Sequence, residues 1–433
     1  MFRLYDQTRR RLCLGAFLLL CMLPTVLVAG WCVAWHLPGH KEAEAQRLAG
    51  FVGLEVSLSG LTHPLPGTMV YEGLELSDPE TGRCLLHCRS LEATWSTMTD
   101  REGRRRPAVV LLASQPEVEA DALERLGQLL QRVLQGQAVR PEAEVRLRSS
   151  ELSLHSGQQW QTLTQVAGEI TVLPEGVQAQ AEFHLPGAEG AEPTRIRILR
   201  NRQLRPPANG IQLDTGGGQL PAQLLAAGWP EFRQLGATSR FRGTLLLTQG
   251  SGGWDGEACG QLSGVDLGGL VSENFPHRLS GTANIILQRA ILRRGRLEAA
   301  VGSLAAGPGV IGRSLVEAAA RQLHLARGLQ PPEPRELLPY TQLALMFWIN
   351  SEGLTLKGAC GDPSARMILV NDQQPLLGDA PAQPQPIAAL IRTLVLDSAI
   401  QLPATRQTDW LARSLPMPEA SAPHAAGSPP QRW

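Results

Sequence analysis

The chain has 433 residues, 40 basic and 40 acidic side chains, and an apolar share of 43%. This balance gives no long-range positive field of the kind nucleic-acid binding needs, so no nucleic-acid partner is expected. The length allows two or three domains, or one long β structure.

The first element is the uncharged run Leu12–Trp35, preceded by Arg3, Arg9, Arg10 and Arg11. Roughly 20 apolar residues cross a bilayer, so this run predicts a single transmembrane helix with some tilt. The basic flank places the N-terminus in the cytoplasm and the bulk of the chain across the membrane, outside the cytoplasm. A secretory signal is the alternative, with Val28-Ala29-Gly30 as its cleavage site, but its apolar core would be shorter. Thr8–Leu12 loosely resembles a twin-arginine export signal. Pro24 falls mid-span and predicts a kink, which membrane helices tolerate.

Beyond the anchor, period-two alternation dominates, the mark of strands with one apolar face. Val177–Leu185 is the clearest case: every odd position is apolar and every even one polar. Leu54–Leu58, Val145–Leu147, Arg195–Ile198, Arg240–Leu245 and Leu354–Leu356 repeat the pattern. Leu152 and Leu154 are out of phase with Val145 and Leu147, which predicts a turn or bulge at Ser149-Ser150. With 44 glycines and 32 prolines as punctuation, the pattern predicts a long antiparallel meander rather than βαβ units. Helices are expected over Glu42–Leu48, Asp121–Leu134, Gln219–Ala227 and Ser314–Leu325. The second has a leucine stripe and Asp121-x-x-Glu124 as a capping box. Breaks are expected at Gly187–Pro193, Arg205–Asn209 and Pro331–Pro334. The expected organisation is a basic tail (1–11), the span (12–35), β-rich regions (40–200 and 201–330), a C-terminal β/α region (331–413) and a disordered tail (414–433). The fold class is therefore mainly β with a few helices, a transmembrane helix leading into a curved antiparallel sheet that forms a groove or a sandwich.

Motifs for chemistry are sparse. Cys84 and Cys88 share a predicted strand, about 13 Å apart, too far for a disulfide. Cys259–Cys360 is open as a pair. His87 lies between the first two cysteines, but in a strand it points to the opposite face. Arg101–Arg106, the densest charge cluster, reads as a solvated loop, with a lipid-headgroup contact as the alternative. Gly307-Pro-Gly309-Val-Ile-Gly312 matches G-x-G-x-x-G, yet it leads into a helix and a proline-rich loop rather than a second parallel strand, so a turn is expected. The nine histidines show no metal-ligand spacing. No enzyme activity, metal or cofactor is expected; an envelope hydrolase using distant carboxylates is the weakest alternative.

An apolar sheet face must be covered, by the protein itself or by a ligand. The residues expected to line a lipid groove are Leu54, Val56, Leu58, Val177, Ala179, Ala181, Phe183, Phe241 and Leu245, all by hydrophobic contact. Trp95, Trp160, Trp229, Trp254 and Trp348 are candidates to line or rim it, although each taken singly reads first as a packed core aromatic. Two stretches carry a family resemblance: Leu48–Leu58 with Pro66-Gly67, Tyr71–Pro79 and Leu91–Trp95, and then Leu279–Leu287 through Gly295–Val301. They resemble the opening and later strands of the AsmA-like envelope family, relatives of bridge-like lipid-transfer proteins. The resemblance implies binding or transfer of membrane lipid in an apolar β-groove, or a role in envelope organisation. The alternative is a closed-core scaffold or assembly subunit that meets other envelope proteins.

Overall fold

The computed structural model describes residues 6–35, 38–99, 103, 105–119, 122–135, 144–156, 159–187, 192–226, 229–250, 252–328, 336–361, 366–372, 374–395 and 415–416. Asp121 of the expected capping box and nearly all of the tail from 414 lie outside them.

The chain opens with α1 (Asp6–Phe17), a π-helical turn (Leu18–Met22) and α2 (Leu23–Trp35), which follow one another without a gap. No single helix among the described residues is long and apolar enough to cross a membrane. The π turn has a local cause. Pro24 has no N–H, and its ring would clash with the carbonyl four residues back in a regular helix. Widening the preceding turn relieves this, and Leu23 N–H bonds Leu18 O, five residues back. The expected disturbance at Pro24 is thus a bulge just before it. Leu14, Phe17, Leu19, Leu20, Val26 and Leu27 are exposed, each by more than half.

Next comes α3 (Pro38–Val52), longer than the expected Glu42–Leu48. Gly53 ends it in the left-handed conformation (φ 70°), donating to Ala49 O at 2.7 Å. The strands β1 (Glu55–Ser57), β2 (Gly60–Thr62), β3 (Thr68–Ser77), β4 (Cys84–Thr99) and β5 (Arg105–Glu119) lead to α4 (Ala122–Gln135). Then follow β6 (Glu144–Ser156), β7 (Gln159–Leu173), β8 (Gly176–His184), β9 (Thr194–Asn201), β10 (Ala208–Asp214) and β11 (Leu220–Pro221). α5 (Ala222–Leu225) is only four residues, shorter than the expected Gln219–Ala227, because Leu220-Pro221 pairs as a strand. A 3-10 turn (Pro230–Leu235), β12 (Arg240–Gly250), β13 (Gly253–Asp266), a π turn (Gly268–Ser272), β14 (Thr282–Arg293), β15 (Arg296–Ala306), β16 (Gly309–Gly312) and α6 (Arg313–Gln322) come next. β17 (Leu337–Tyr340), β18 (Gln342–Asn350), β19 (Gly353–Gly358), β20 (Met367–Asn371), β21 (Gln374–Gly378) and α7 (Ile387–Leu394) complete the order.

Nineteen strands form one mixed sheet, and β16 and β17 form a separate pair. Neighbours follow chain order: β3 to β10, then β12 to β15, then β18, β20 and β21. Pairing continues across the expected boundaries near 200 and 330. At about 4.8 Å per strand the path along the sheet is roughly 65 Å. The expectation of a purely antiparallel meander needs one correction. β5 and β6 are parallel, Ala108 opposite Glu144 through Glu119 opposite His155, and α4 is the crossover between them. Parallel neighbours require such a crossover. The 14 residues of α4 reach about 21 Å, enough to lie across the four strand steps from β4 to β8.

The phase slip at Ser149-Ser150 belongs to a crease that crosses five strands. β6 does not end there; it runs on from Glu144 to Ser156. Gly73 in β3 (φ 55°), Gln115 in β5 (φ 48°) and Gln165 in β7 (φ 52°) lie on the same line. On β3, Met69 and Tyr71 face the core before the crease, Leu74 and Leu76 after it. On β7, Leu163 changes to Val166 in the same way. One extra residue per strand keeps the apolar side of both halves on one face. The Cys88 thiol sits in the crease and donates to Ser90 O (3.0 Å) and Ser114 O (3.4 Å).

Candidate functional site

The candidate site is the inner, apolar face of the sheet. Of the nine predicted groove residues, Leu54, Val56, Leu58, Val177, Ala179, Phe183 and Phe241 are buried; Ala181 and Leu245 are half-buried. Period-two alternation thus marks positions that are buried or half-buried. The structure divides the buried seven among three packed clusters. Val56 and Leu58 pack with Tyr71, Leu74 and Ala93 under Ala45, Leu48 and Ala49 of α3. Leu54, Phe183 and Phe241 share a cluster with Ala122, Leu123 and Leu126 of α4, and with Leu225 of α5. Val177 and Ala179 meet Leu130 and Leu134 near the end of α4. Towards the C-terminus, α6 and α7 cover the face together, through Leu315, Val316, Ala319, Ile387 and Ile391.

α4 covers the face because its apolar positions recur every three or four residues. Its ends are tied down. Arg202 donates to Leu134 O (2.9 Å), satisfying one of the last helix carbonyls with a cation suited to that end of the dipole. Arg132 donates to Val52 O (3.0 Å), joining α4 to the end of α3. On the solvent side Arg125 meets Glu80 (2.9 Å) and Asp78 (3.6 Å), and Arg233 meets Glu124 (3.1 Å). The exposed pairs with Glu80 and Glu124 contribute at most about 1 kcal/mol each, while Asp78 is itself buried; apolar burial holds the helix. Flanking it are a cavity of about 830 Å³, lined in part by Asp78, Arg83, Glu119 and Arg125, and a smaller one of about 380 Å³ beside Gln131 and Arg132. Their charged linings differ from what an acyl chain needs.

The tryptophans separate. Trp95, Trp160 and Trp348 are exposed, Trp160 stacking on His155 at 4.4 Å. Trp229 packs on the central cluster and meets Trp254 edge-on at 6.4 Å. The opposite face of the sheet carries cross-strand ion pairs such as Glu182–Arg195 (3.1 Å) and Arg146–Glu169 (3.3 Å) beside exposed apolar side chains such as Leu112, Leu246 and Ile286. Burial, followed by a hydrogen bond that the protonated Glu169 carboxyl donates to Glu144, pushes the Glu169 pKa up.

Cys84, Cys88 and Cys360 are not set up as activated nucleophiles. Cys84 and Cys88 share β4, His87 between them is exposed, and Cys88 is buried. Burial, then Glu75, pushes the Cys84 thiol up, and burial does the same to Cys88 and Cys360. A catalytic cysteine needs the reverse. Cys259 and Cys360, open as a disulfide from the sequence, are both free: Cys259 Sγ sits 3.1 Å from Thr244 Oγ1, and Cys360 donates to Ile368 O at 3.0 Å. Alkylation by iodoacetamide near neutral pH is expected to be much slower at Cys88 and Cys360 than in the denatured chain. Peptide mass mapping with and without denaturant checks this; equal rates would contradict their burial.

Gly307-Pro308 forms a bend after β15, as the expected turn has it, but Gly309–Gly312 is strand β16 entering α6. Gly309 answers to packing, whereas Gly307 has open space around it. A Cβ on Gly309 would meet Ser280 O at 2.1 Å and the Tyr340 hydroxyl at 2.7 Å. Among the described residues, no three His, Cys, Asp or Glu side chains gather as a metal-binding group.

One contact had no sequence signal, because its partners are far apart in the chain. Buried His277 has Nδ1 3.0 Å from the Oγ of Ser314 in the first turn of α6, while its ring also faces the backbone of Thr393 in α7. Burial lowers the His277 pKa below its ordinary 6.5, against a smaller raising effect from Thr393. The unfolded chain then takes up the proton first as pH falls below about 6.5. Stability from this group is complete above 6.5 and is lost on acidification towards the folded-state pKa. His277→Gln is expected to flatten this part of the melting-temperature profile; an unchanged profile would contradict it.

Comparison with protein-family models, curated proteins and solved structures finds no match for this chain.

Proposed function

We propose that the protein is a membrane-anchored, non-catalytic scaffold of the cell envelope, with its sheet in the periplasm and its outer surface available to envelope protein partners. The observation that carries this reading is the covered inner face. Phe183, 6% exposed, is packed among side chains of the sheet and of α4 rather than lining an open trough. A path of roughly 65 Å along one sheet suits a rigid spacer. The continuous helical run from Asp6 to Trp35 and its exposed leucines support the anchor. The AsmA-like resemblance of the opening strands is compatible with an envelope location.

A second reading, lipid binding on the inner face, draws on one feature. Leu123, Leu126 and Leu130 of α4 are only half-buried, so this helix is the cover that a bound acyl chain would displace. The test is native mass spectrometry of the full chain after detergent exchange. Scaffold function predicts a lipid-free mass. Retained phospholipid, lost with Phe183→Asp in a protein that still folds, would instead establish the groove.

A further inference from the structure

Two exposed apolar side chains gather where the sheet meets the anchor. α3 begins three positions after α2 ends, a gap the backbone spans in at most about 11 Å. His40, in the first turn of α3, has its ring 5.7 Å from that of His63, in the loop after β2. That loop continues to Leu65, whose carbonyl accepts from Thr68 N at 3.0 Å. Gly67 O in turn accepts from Trp95 N at 2.9 Å. The start of α3, the 65–68 turn and Trp95 of β4 thus lie together where β3 begins. There Leu65 is 66% exposed and Trp95 49% exposed. β4 and β5 continue past this point to Thr99 and Arg105, and Arg105 is exposed.

Single exposed apolar residues need no explanation. An adjacent pair does when it adjoins a membrane helix, and tryptophan, apolar with one polar N–H, suits the headgroup layer. Arg105, opposite Thr99 and about 13 Å along the strands from Trp95, supplies an exposed cation to complement anionic headgroups. We propose that Leu65 and Trp95 seat this part of the sheet in the headgroup layer of the membrane that holds the anchor, setting the orientation of the sheet on the membrane surface. The proposal rests on the anchoring reading above.

The test places a photo-crosslinking amino acid, one position at a time, in the full chain in phospholipid nanodiscs containing anionic lipid. Leu65 and Trp95 are the test positions. Val26 reports the anchor, and Leu246, exposed in β12, is the distant control. The expected result is lipid adduct at Val26, Leu65 and Trp95, and its loss at Leu246. Adduct at Val26 but not at Leu65 and Trp95 would overturn this proposal and leave the anchor standing. Equal adduct at Leu246 would also overturn it, since contact would not be confined to this part of the sheet. No adduct at Val26 would overturn the anchor and this proposal with it.

Discussion

Phe183→Asp is expected to unfold the sheet rather than to empty a binding site. Phe183 is 6% exposed and packs with α4 and the neighbouring strands. Removing a buried phenylalanine costs about 3–5 kcal/mol. Burying an unpaired carboxylate costs several more, or forces the helix off the face. Native domains have only about 5–15 kcal/mol to lose. The variant should show no cooperative melting transition by circular dichroism, whereas Phe183→Leu, which keeps the site apolar, should cost under about 1.5 kcal/mol. A folded, cooperatively melting Phe183→Asp protein would contradict a closed core.

Gly260→Val is expected to have the second large effect. Gly243 and Gly260 face each other across β12 and β13, with φ values of 153° and 148°. A Cβ on Gly260 would lie 2.3 Å from Arg242 O and 2.8 Å from Gly243 Cα, both backbone atoms that cannot move aside. Gly243 also exchanges bonds with Thr215, its N–H donating to Oγ1 (3.0 Å) and its carbonyl accepting from Thr215 N (3.1 Å). Backbone strain of about 1–3 kcal/mol and a further ~1–3 kcal/mol of overpacking are expected, enough to lower the melting temperature sharply. Gly307→Ala is the control: nothing lies within 4 Å of its Cβ position, so its effect should stay within about 0.5 kcal/mol. Equal melting temperatures for both variants would mean that β12 and β13 do not approach this closely.

The inner face was legible because side-chain alternation is local. Val177, Ala179 and Phe183 announce their side by period two alone, and burial follows. The phase slip between Leu147 and Leu152 was legible for the same reason. That it is shared with Gly73, Gln115 and Gln165 was not, because register between strands leaves no mark in any one of them. The parallel β5–β6 pair was hidden although its crossover helix was visible: the same leucine stripe would serve a helix joining antiparallel strands. α7 was missed because Ile387–Leu394 is a short apolar run that periodicity cannot distinguish from a strand. What covers the inner face was the decisive unknown, and it depends on long-range packing of α3, α4 and α6 with α7.

The most direct test of the closed inner face is hydrogen exchange at the backbone amides of Ala122–Gln135 in the full chain, with and without added phospholipid. A helix that is part of the core should exchange as slowly as β7 and β8 beneath it, at a rate that lipid leaves unchanged. Fast exchange of α4 alone, altered on adding lipid while the sheet stays protected, would contradict the closed core and make this helix the removable cover of a lipid groove.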